Sequence, residues 1–404
     1  MKNNKIDIIF NSYIAKKTIP NGVLLVRKND EIIYKGKWGF SNLETGKPIE
    51  YNSIFKMMSM TKPVTAAAIM KLYDDGRLDI DDPISKYISS FKNMRVVNDR
   101  RYPFPPKNPI NSLLGLITYT PDKAKTEAAN RELTFRDLLS HSSGIEQGIG
   151  GYAMHFKDKE LRTTLERQTE KYASRPLDFQ PGTGTGYSPL ANFDILARLV
   201  EVISGKSAAD YFKDELFEPL EMNDASFHIN DEQINDEQKK RTVELYKKTP
   251  FGLKNVTDTK SDKDGFAKID SDSKYVCGSG GLYCTAEDYE HFAHMLLNKG
   301  IFKGKRILSE KAVELMQTEA PARHLEPSPG CVWGLGVQIR QNPQKGNLPV
   351  TEGTYGWSGA FGTHFFVSPK DNLECVFATN VSNIGGSSSK ISKKVEELVF
   401  ELFK

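Results

Sequence analysis

Ser59 and Lys62 lie three positions apart at the start of the segment MSMTKPVTAAAIMKL, and a serine with a lysine at this spacing could carry out nucleophilic catalysis. Residues three apart share one face of a helix. A serine hydroxyl is a weak nucleophile until a neighbouring base activates it. Burial disfavours an ammonium ion, so a buried lysine can accept a proton. Taken alone, the pair predicts this chemistry about as strongly as it predicts a helix-capping serine beside a lysine that reaches solvent.

The helix that follows distinguishes this pair from the other Ser-x-x-Lys matches. Residues 64 to 72 are almost entirely small and apolar, which is typical of a buried helix. The helix dipole favours negative charge near Ser59, and Pro63 fits the first turn, where its missing N–H costs little. The motif occurs five times, and the other four matches lie in polar or irregular surroundings: Ser53–Lys56, Ser89–Lys92, Ser271–Lys274 and Ser387–Lys390.

Strand-like segments occur near both ends of the chain, and helices with long polar loops occupy the middle. An alternating pattern broken at Asn29-Asp30 predicts a β-hairpin. The expected strands are 22–28, 31–38, 332–339, 361–367 and 373–379, and a helix is expected over 390–403. We therefore predict an α+β fold, in which N- and C-terminal strands form one antiparallel sheet with flanking helices and a mainly helical lobe is inserted.

The expected domain organisation has two lobes. Residues 1–80 and 275–404 are expected to form the mixed sheet lobe, and residues 81–274 the mainly helical inserted lobe. The cleft between two such lobes is a usual place for a small-molecule site. Within the inserted lobe, Thr134 followed by Asp137 predicts a capping box at the start of a helix.

The segment 230–275 is strongly polar and is expected to be an exposed excursion from the fold. Its acidic part could suggest a calcium-binding loop. Aligning Gly265 with the glycine of an EF-hand places Lys260 and Ser271 at the first and twelfth ligand positions. Neither side chain suits those positions, so we interpret the stretch as a polar loop.

Composition and charge exclude several classes of function. The 404 residues are 38% hydrophobic and 26% charged, with 55 lysines plus arginines against 52 aspartates plus glutamates. No basic cluster is dense enough for nucleic-acid binding. No apolar run reaches membrane-spanning length, and the run at 6–10 is too short for a secretory signal. We therefore expect no nucleic-acid or membrane partner.

Four cysteines are scattered through the C-terminal part of the chain, at positions 277, 284, 331 and 375. They show no Cys-x-x-Cys motif and no spacing typical of metal ligands. We expect reduced, mostly buried thiols and a cytoplasmic location.

Several motifs occur in an order that resembles the serine β-lactamases and penicillin-binding proteins, in which Ser-x-x-Lys supplies the nucleophile. The similarity covers nearly the whole chain. It is closest to the class C β-lactamase branch and, within that branch, to the family VIII carboxylesterases. The segments that carry it, besides Ser59–Lys62, are TFRDLLSHSSGI (134–145), PGTGTGYSP (181–189), GSGGLYCTAEDYEHFAHMLLNKG (278–300) and YGWSGAFGTHFFVSP (355–369).

The resemblance implies a mechanism without a metal or organic cofactor. Ser59 would attack the substrate carbonyl and form an acyl-enzyme. Lys62 and Tyr187 would share the proton transfers, and either of them could be the general base. Tyr187 could act as a phenolate only beside a cation such as Lys62. The backbone N–H groups of Ser59 and Ala360 would bind the oxyanion, because such holes use fixed donors.

Two departures from the family pattern affect the expected substrate. The class C motif Tyr-x-Asn is replaced by Tyr187-Ser188-Pro189, and Asn192 is disfavoured as a substitute. The Lys-Thr-Gly strand is replaced by three residues that would line the acyl pocket: Trp357, Ser358 and Gly359. The cation that grips a β-lactam or peptide carboxylate is thus missing, which favours neutral acyl groups.

We therefore expect a serine hydrolase that cleaves small carboxylic esters, with acyl transfer to an alcohol as a variant. One alternative is a β-lactamase or a penicillin-binding protein of the D-alanyl-D-alanine carboxypeptidase type. Another is a non-catalytic binding protein that keeps the fold. The natural ester, its acyl chain length and the oligomeric state stay open.

Two further interpretations are set aside. The segment GWSGA, from Gly356 to Ala360, is one residue short of the Gly-x-Ser-x-Gly nucleophile elbow of α/β-hydrolases. That elbow needs a helix after it, and here a strand-like stretch follows. His141 and His364 could suggest a Ser-His-Asp triad. We expect His141 to be a structural hydrogen-bonding residue at the end of a helix, and His364 to face either solvent or the cleft.

Overall fold

The computed structural model describes residues 2–106, 109–158, 160–227, 235–257, 273–320, 326–386 and 389–402. The α-helices are α1 (Lys2–Ala15), α2 (Thr61–Asp74), α3 (Pro109–Thr118), α4 (Phe135–Leu139), α5 (Ile149–Lys157), α6 (Leu165–Ala173), α7 (Ala191–Ser204), α8 (Ala208–Phe212), α9 (Asp236–Arg241), α10 (Ala286–Leu297), α11 (Glu310–Met316) and α12 (Lys390–Glu401). The strands are β1 (Asn21–Lys28), β2 (Glu31–Asn42), β3 (Lys47–Pro48), β4 (Phe55–Lys56), β5 (Arg95–Val97), β6 (Thr126–Ala128), β7 (Tyr246–Thr249), β8 (Gly252–Asn255), β9 (Tyr283–Cys284), β10 (Ile301–Phe302), β11 (Lys305–Arg306), β12 (Cys331–Trp333), β13 (Gln338–Arg340), β14 (Tyr355–Ser358), β15 (His364–Ser368), β16 (Leu373–Ala378) and β17 (Val381–Ser382).

The main sheet has eight strands in the order β12-β13-β14-β15-β16-β1-β2-β3. Neighbouring strands run antiparallel throughout. Strand β1 lies between β16 and β2, with Val23 opposite Ala378 on one side and Lys37 on the other. The prediction of an α+β fold with an antiparallel sheet built from both ends of the chain is confirmed.

Helices cover both faces of this sheet. Helices α1 and α12 pack on one face, where Phe10 and Leu398 share a cluster with Phe377. Helix α10 packs against β1, β15 and β16 on the other face. Because apolar residues of each strand point to both faces, the sheet lies between two helical layers.

Helix α2 is buried on nearly all sides, as its sequence predicts. Every residue from Thr61 to Met70 is buried, because α7 and α11 pack along this helix. A helix that is covered on all sides has no face in contact with water and so needs no polar face. Lys62 is therefore held inside the protein.

Two predicted strands differ from those observed. The segment 332–339 is not one strand, because Gly334 donates a backbone hydrogen bond to Val337 and turns the chain between β12 and β13. Gly336 in this turn has φ +87°, and a Cβ there would lie 2.3 Å from the Cβ of Ala66. The strand expected from residue 361 begins only at His364, because the preceding residues form a turn.

The middle of the chain confirms one expectation and corrects another. Thr134 and Asp137 form the predicted capping box at the start of α4. The polar segment 230–275 is not wholly an exposed excursion, because Tyr246 is fully buried and β7 pairs with β17. The stretch considered as a calcium loop, including Lys260 and Ser271, lies outside the described residues. In the ranges that the structure describes, no helix is long and apolar enough to cross a bilayer.

Candidate active site

Ser59 lies in a short 3₁₀ turn, Met58–Met60, that leads directly into α2. The side chain of Ser59 is partly exposed, whereas both neighbours are buried. Met58 has φ +52°, which is unusual for a residue other than glycine and costs about 1 kcal/mol or more. The hydroxyl of Thr61 donates to the Met58 carbonyl at 2.7 Å and stabilises this turn. The strained turn presents the Ser59 hydroxyl at the N-terminal end of a buried helix.

Lys62 is 1% exposed, and its ammonium nitrogen has three oxygen neighbours. Nζ lies 2.7 Å from the carbonyl oxygen of Pro189, 2.9 Å from that of Ser279 and 3.2 Å from Ser59 Oγ. Because carbonyls only accept hydrogen bonds, two of the Nζ hydrogens point to them. The third position on Nζ faces Ser59, and it holds a hydrogen in the ammonium form or a lone pair in the neutral amine. Lys62 is thus placed to exchange a proton with Ser59.

Tyr187 contacts Ser59 through its phenol, and its backbone is held by Tyr152. Its phenol donates a hydrogen bond to Ser59 Oγ at 2.7 Å. The hydroxyl of Tyr152 donates to the backbone carbonyl of Tyr187 at 2.7 Å, which ties the loop to α5. Lys62 Nζ lies 5.1 Å from the centre of the Tyr187 ring. The structure thus brings together Ser59, Lys62 and Tyr187, although the tyrosine is 128 residues from the serine.

His141 is fully buried beside this group and supports the Tyr187 loop. Its Nδ1 accepts a hydrogen bond from the backbone N–H of Ser188 at 3.2 Å. Its carbonyl accepts hydrogen bonds from the side chains of Gln147 and Thr185. Burial, assisted by the positive charge of Lys62, lowers the pKa of His141 well below its usual value. The expected structural role of His141 as a hydrogen-bonding residue is confirmed.

Trp357 on β14 forms an aromatic wall with Trp333 and Tyr187. The ring centres of Trp357 and Trp333 are 4.6 Å apart, and those of Trp357 and Tyr187 are 5.3 Å apart. Aromatic side chains at these separations attract one another beyond simple area burial. The sequence did not indicate Trp333, because its contact with Trp357 depends on strands that pair only in the folded protein.

Gly359 lets the end of β14 come into contact with the turn that holds Ser59. A Cβ at this position would lie 2.3 Å from the carbonyl oxygen of Met57 and 2.1 Å from Thr363 Oγ1. The hydroxyl of Thr363 donates to that same Met57 carbonyl at 2.9 Å. Ala360 follows and packs in a small apolar cluster with Met58. The strand is therefore fixed against the turn that holds Ser59.

Ser358 and His364 face each other across β14 and β15. Ser358 Oγ lies 2.7 Å from His364 Nδ1, and both side chains are buried. The expectation that His364 faces solvent or the cleft is wrong, because its other nitrogen points toward Glu396 on α12. Glu396 is distant in sequence and gave no signal of this contact.

Asn192 is fully buried inside the helical region. Its amide nitrogen donates to the carbonyl of Leu138 at 3.1 Å, and its amide oxygen accepts from the hydroxyl of Ser143 at 2.8 Å. Both hydrogen bonds tie α7 to the segment that follows α4. Both groups of the amide are thus engaged within the helical region, which agrees with the expectation that Asn192 does not replace the class C asparagine.

Cys277 is a buried thiol close enough to Lys62 to feel its charge. Burial, with the charge of Asp194, raises the pKa of Cys277 to about 12, so this thiol stays protonated and unreactive. In the parts of the chain that the structure describes, no group of three or more His, Cys, Asp or Glu side chains is arranged to hold a metal ion.

Gly359→Ala is expected to destabilise the protein, because the added methyl group would collide with a backbone oxygen. Overpacking of this kind costs about 2 kcal/mol in the free energy of unfolding. Gly280→Ala is the matched control: its Cβ would lie 3.6 Å from the nearest atom of Met58, which is ordinary contact. Thermal unfolding of both variants measures the difference. Equal midpoints for the two variants would contradict the close approach at Gly359.

The chain is similar to a known protein family and to individual proteins over most of its length. The family model described as Beta-lactamase matches residues 6–393. Esterase EstB of Burkholderia gladioli is 24% identical over 394 residues, which cover 95% of this chain and 91% of that protein. These relationships extend over nearly the whole chain.

Two solved structures share the fold. EstCE1, described as a hydrolase with promiscuous acyltransferase activity, superposes with a TM-score of 0.77 at 21% identity, covering 99% of this chain and 98% of that one. The octameric penicillin-binding protein homologue of Pyrococcus abyssi superposes with a TM-score of 0.71 at 22% identity, covering 100% and 78%. At these identities the superpositions establish the architecture alone.

Proposed function

This chain belongs to the beta-lactamase family and is a serine hydrolase of that fold, and we propose that it cleaves small carboxylic esters through an acyl-enzyme on Ser59. The observation that carries the proposal is the pair of contacts on one hydroxyl. Ser59 Oγ lies 3.2 Å from Lys62 Nζ and 2.7 Å from the Tyr187 phenol. A nucleophile with two proton-transfer groups in reach is the arrangement that covalent catalysis needs.

In the first step, Ser59 Oγ bonds to the carbonyl carbon of the ester, and its proton passes to Lys62 or Tyr187. The C=O electron pair moves to the oxygen and forms a tetrahedral oxyanion. When the intermediate collapses, the ester C–O bond breaks and the departing alkoxide takes a proton, most directly through Tyr187. Water then attacks the acyl-enzyme by the same route in reverse and releases the carboxylic acid.

The oxyanion would be bound by the backbone N–H groups of Ser59 and Ala360. Fixed donors of this kind stabilise charge that develops in the transition state and need no rearrangement. The contact of Gly359 with the Met57 carbonyl supports this assignment, because it holds the two backbone segments side by side. Substrate would enter between the sheet lobe (1–80 and 275–404) and the helical lobe (81–274).

The aromatic wall supports an uncharged acyl group as the substrate. Trp357, at the position where β-lactam-binding relatives carry a lysine, offers an apolar surface in place of a positive charge. Gly359 provides close backbone approach. Ser358 lies between them in the chain, but its side chain is buried against His364 and does not line the acyl pocket as the resemblance implied. The name of the relative EstB and the description of EstCE1 agree with an ester as substrate.

Acyl transfer is a variant of the same chemistry, in which an alcohol replaces water in the second step. The description of EstCE1 as a hydrolase with acyltransferase activity supports it. The second candidate is a β-lactamase or D-alanyl-D-alanine carboxypeptidase, favoured by the likeness to a penicillin-binding protein homologue. A cytoplasmic location stays a prediction, supported by four buried cysteines without disulfides.

A substrate panel with purified protein tests the proposal. We expect p-nitrophenyl esters from acetate to decanoate to be hydrolysed, with the highest kcat/KM at the short end, and we expect a fluorophosphonate to label Ser59. Penicillin G should leave no acyl adduct detectable by intact mass. A stable penicilloyl adduct, with no ester hydrolysis, would favour the second candidate. Absence of fluorophosphonate labelling would favour a non-catalytic binding protein.

A further inference from the structure

A buried row of four side chains lies behind the strand that borders Ser59. Ser358 Oγ is 2.7 Å from His364 Nδ1, and His364 Nε2 is 3.4 Å from Glu396 Oε1. Arg340 Nη2 donates to that same carboxylate oxygen at 2.8 Å. None of the four is more than 3% exposed. The row joins β14, β15, α12 and β13, and no step of the proposed mechanism uses it.

The charge of Glu396 follows from its partners. Burial alone would raise the pKa of Glu396, but the Arg340 guanidinium and the His364 imidazole lower it to about 2, so the carboxylate is ionised. A carboxylate accepts hydrogen bonds only, and a carboxylate beside Nε2 favours the tautomer with its hydrogen on that nitrogen. The 3.4 Å contact between His364 Nε2 and Glu396 Oε1 is not aligned as a hydrogen bond. In that tautomer His364 Nδ1 accepts the hydroxyl hydrogen of Ser358.

The strands β14 and β15 are joined by the turn Gly359–Thr363, which carries Ala360. The N–H of Gly362 donates to the carbonyl of Gly359 at 3.1 Å and closes a β-turn. The N–H of the second residue in a β-turn is not used by the turn itself. In this turn that residue is Ala360, so its N–H is available to a ligand.

The backbone holds this turn through the N–H of Gly359, which donates to the Thr363 carbonyl at 2.8 Å, and the N–H of Val381, which donates to the Phe361 carbonyl at 3.0 Å. Side-chain contacts add to this hold on two sides. In front, the Thr363 hydroxyl donates to the Met57 carbonyl at 2.9 Å and joins the turn to the segment that leads into Ser59. Behind, Ser358 and His364, the residues on either side of the turn, are bonded to each other and held by Glu396. We call three members of this row, Ser358, His364 and Glu396, the rear clamp.

We propose that the rear clamp is a positioning device, which fixes the Ala360 N–H where the tetrahedral oxyanion forms. Ser358 therefore acts through Ala360 and is a positioning residue. This inference rests on the proposed ester hydrolysis. It predicts that loss of the clamp lowers kcat and leaves substrate binding unchanged, because the oxyanion exists only in the transition state.

Ser358→Ala tests the clamp, with Ser358→Thr as the conservative variant that keeps the hydroxyl. Ser368→Ala is the matched control, because Ser368 is a buried serine on β15 that bonds Thr354 and Asp371 at the far end of the strand. We expect Ser358→Ala to lower kcat for p-nitrophenyl acetate about tenfold, with KM within twofold of wild type. Ser358→Thr should recover most of kcat, and Ser368→Ala should keep it.

A trifluoromethyl ketone gives a second readout, because its adduct with Ser59 carries an oxyanion. Its inhibition constant should rise in Ser358→Ala by the same factor by which kcat falls. An unchanged kcat in that variant, a raised KM with kcat intact, or an equal loss in Ser368→Ala would each overturn the inference. Absence of ester hydrolysis in the wild type would overturn the proposed function as well, so the two failures are distinguishable.

Discussion

Replacing Ser59 with alanine is expected to lower kcat/KM for p-nitrophenyl acetate by at least about 10⁴-fold, because no acyl-enzyme can form without its hydroxyl. The residual rate would come from substrate binding and from the oxyanion donors. Ser59 is partly exposed and its side chain fills no core position, so the variant should keep the thermal midpoint of the wild type. Steady-state kinetics and thermal unfolding of the same preparation measure both quantities.

Ser89→Ala is the matched control for this experiment. Ser89 also begins a Ser-x-x-Lys match, but its side chain is exposed. We expect its kcat/KM to equal that of the wild type. If Ser59→Ala hydrolysed the ester at the wild-type rate, or if Ser89→Ala lost activity equally, the assignment of the nucleophile would be wrong.

Replacing Lys62 with methionine is expected to lower kcat/KM by about 10³-fold, because the variant cannot exchange a proton with Ser59. Methionine has a similar length and fills the same buried space. The carbonyls of Pro189 and Ser279 lose a donor, which costs stability, but removal of a buried polar group offsets part of that cost. Single-turnover kinetics should locate the loss in the acylation step.

Lys71→Met on the same helix serves as the control, since Lys71 is paired with Asp75 at the surface. The Lys71→Met variant should keep full activity. Retention of more than a tenth of the activity in Lys62→Met would show that Lys62 is not the proton acceptor. Tyr187, which also bonds Ser59, would then carry the general-base role.

The sequence predicted the architecture where local pattern determines it. Alternation around Asn29 and Asp30 indicated the β1–β2 hairpin, and the apolar run after Ser59 indicated a buried helix. Both features depend on residues close together in the chain. The prediction was wrong for 332–339, because the turn at Gly334 depends on how Gly336 packs against α2.

The contacts of the candidate site could be predicted less well from local sequence patterns. The approach of Tyr187 to Ser59 was expected only from the resemblance to a family, because no spacing rule relates residues so far apart. His364 and Glu396 lie on different elements, and their contact requires α12 to pack on the sheet. Long-range contacts of this kind are set by tertiary packing, which a single sequence does not display.

The central position of β1 has a consequence for biosynthesis. Its Val23 pairs with Ala378, so the middle of the main sheet cannot close until nearly the whole chain has left the ribosome. Until then β1 presents an unpaired apolar edge to neighbouring nascent chains. Such distant pairing is slow and favours aggregation of incomplete chains. We therefore expect chains that end before β16 to aggregate more readily than the full chain.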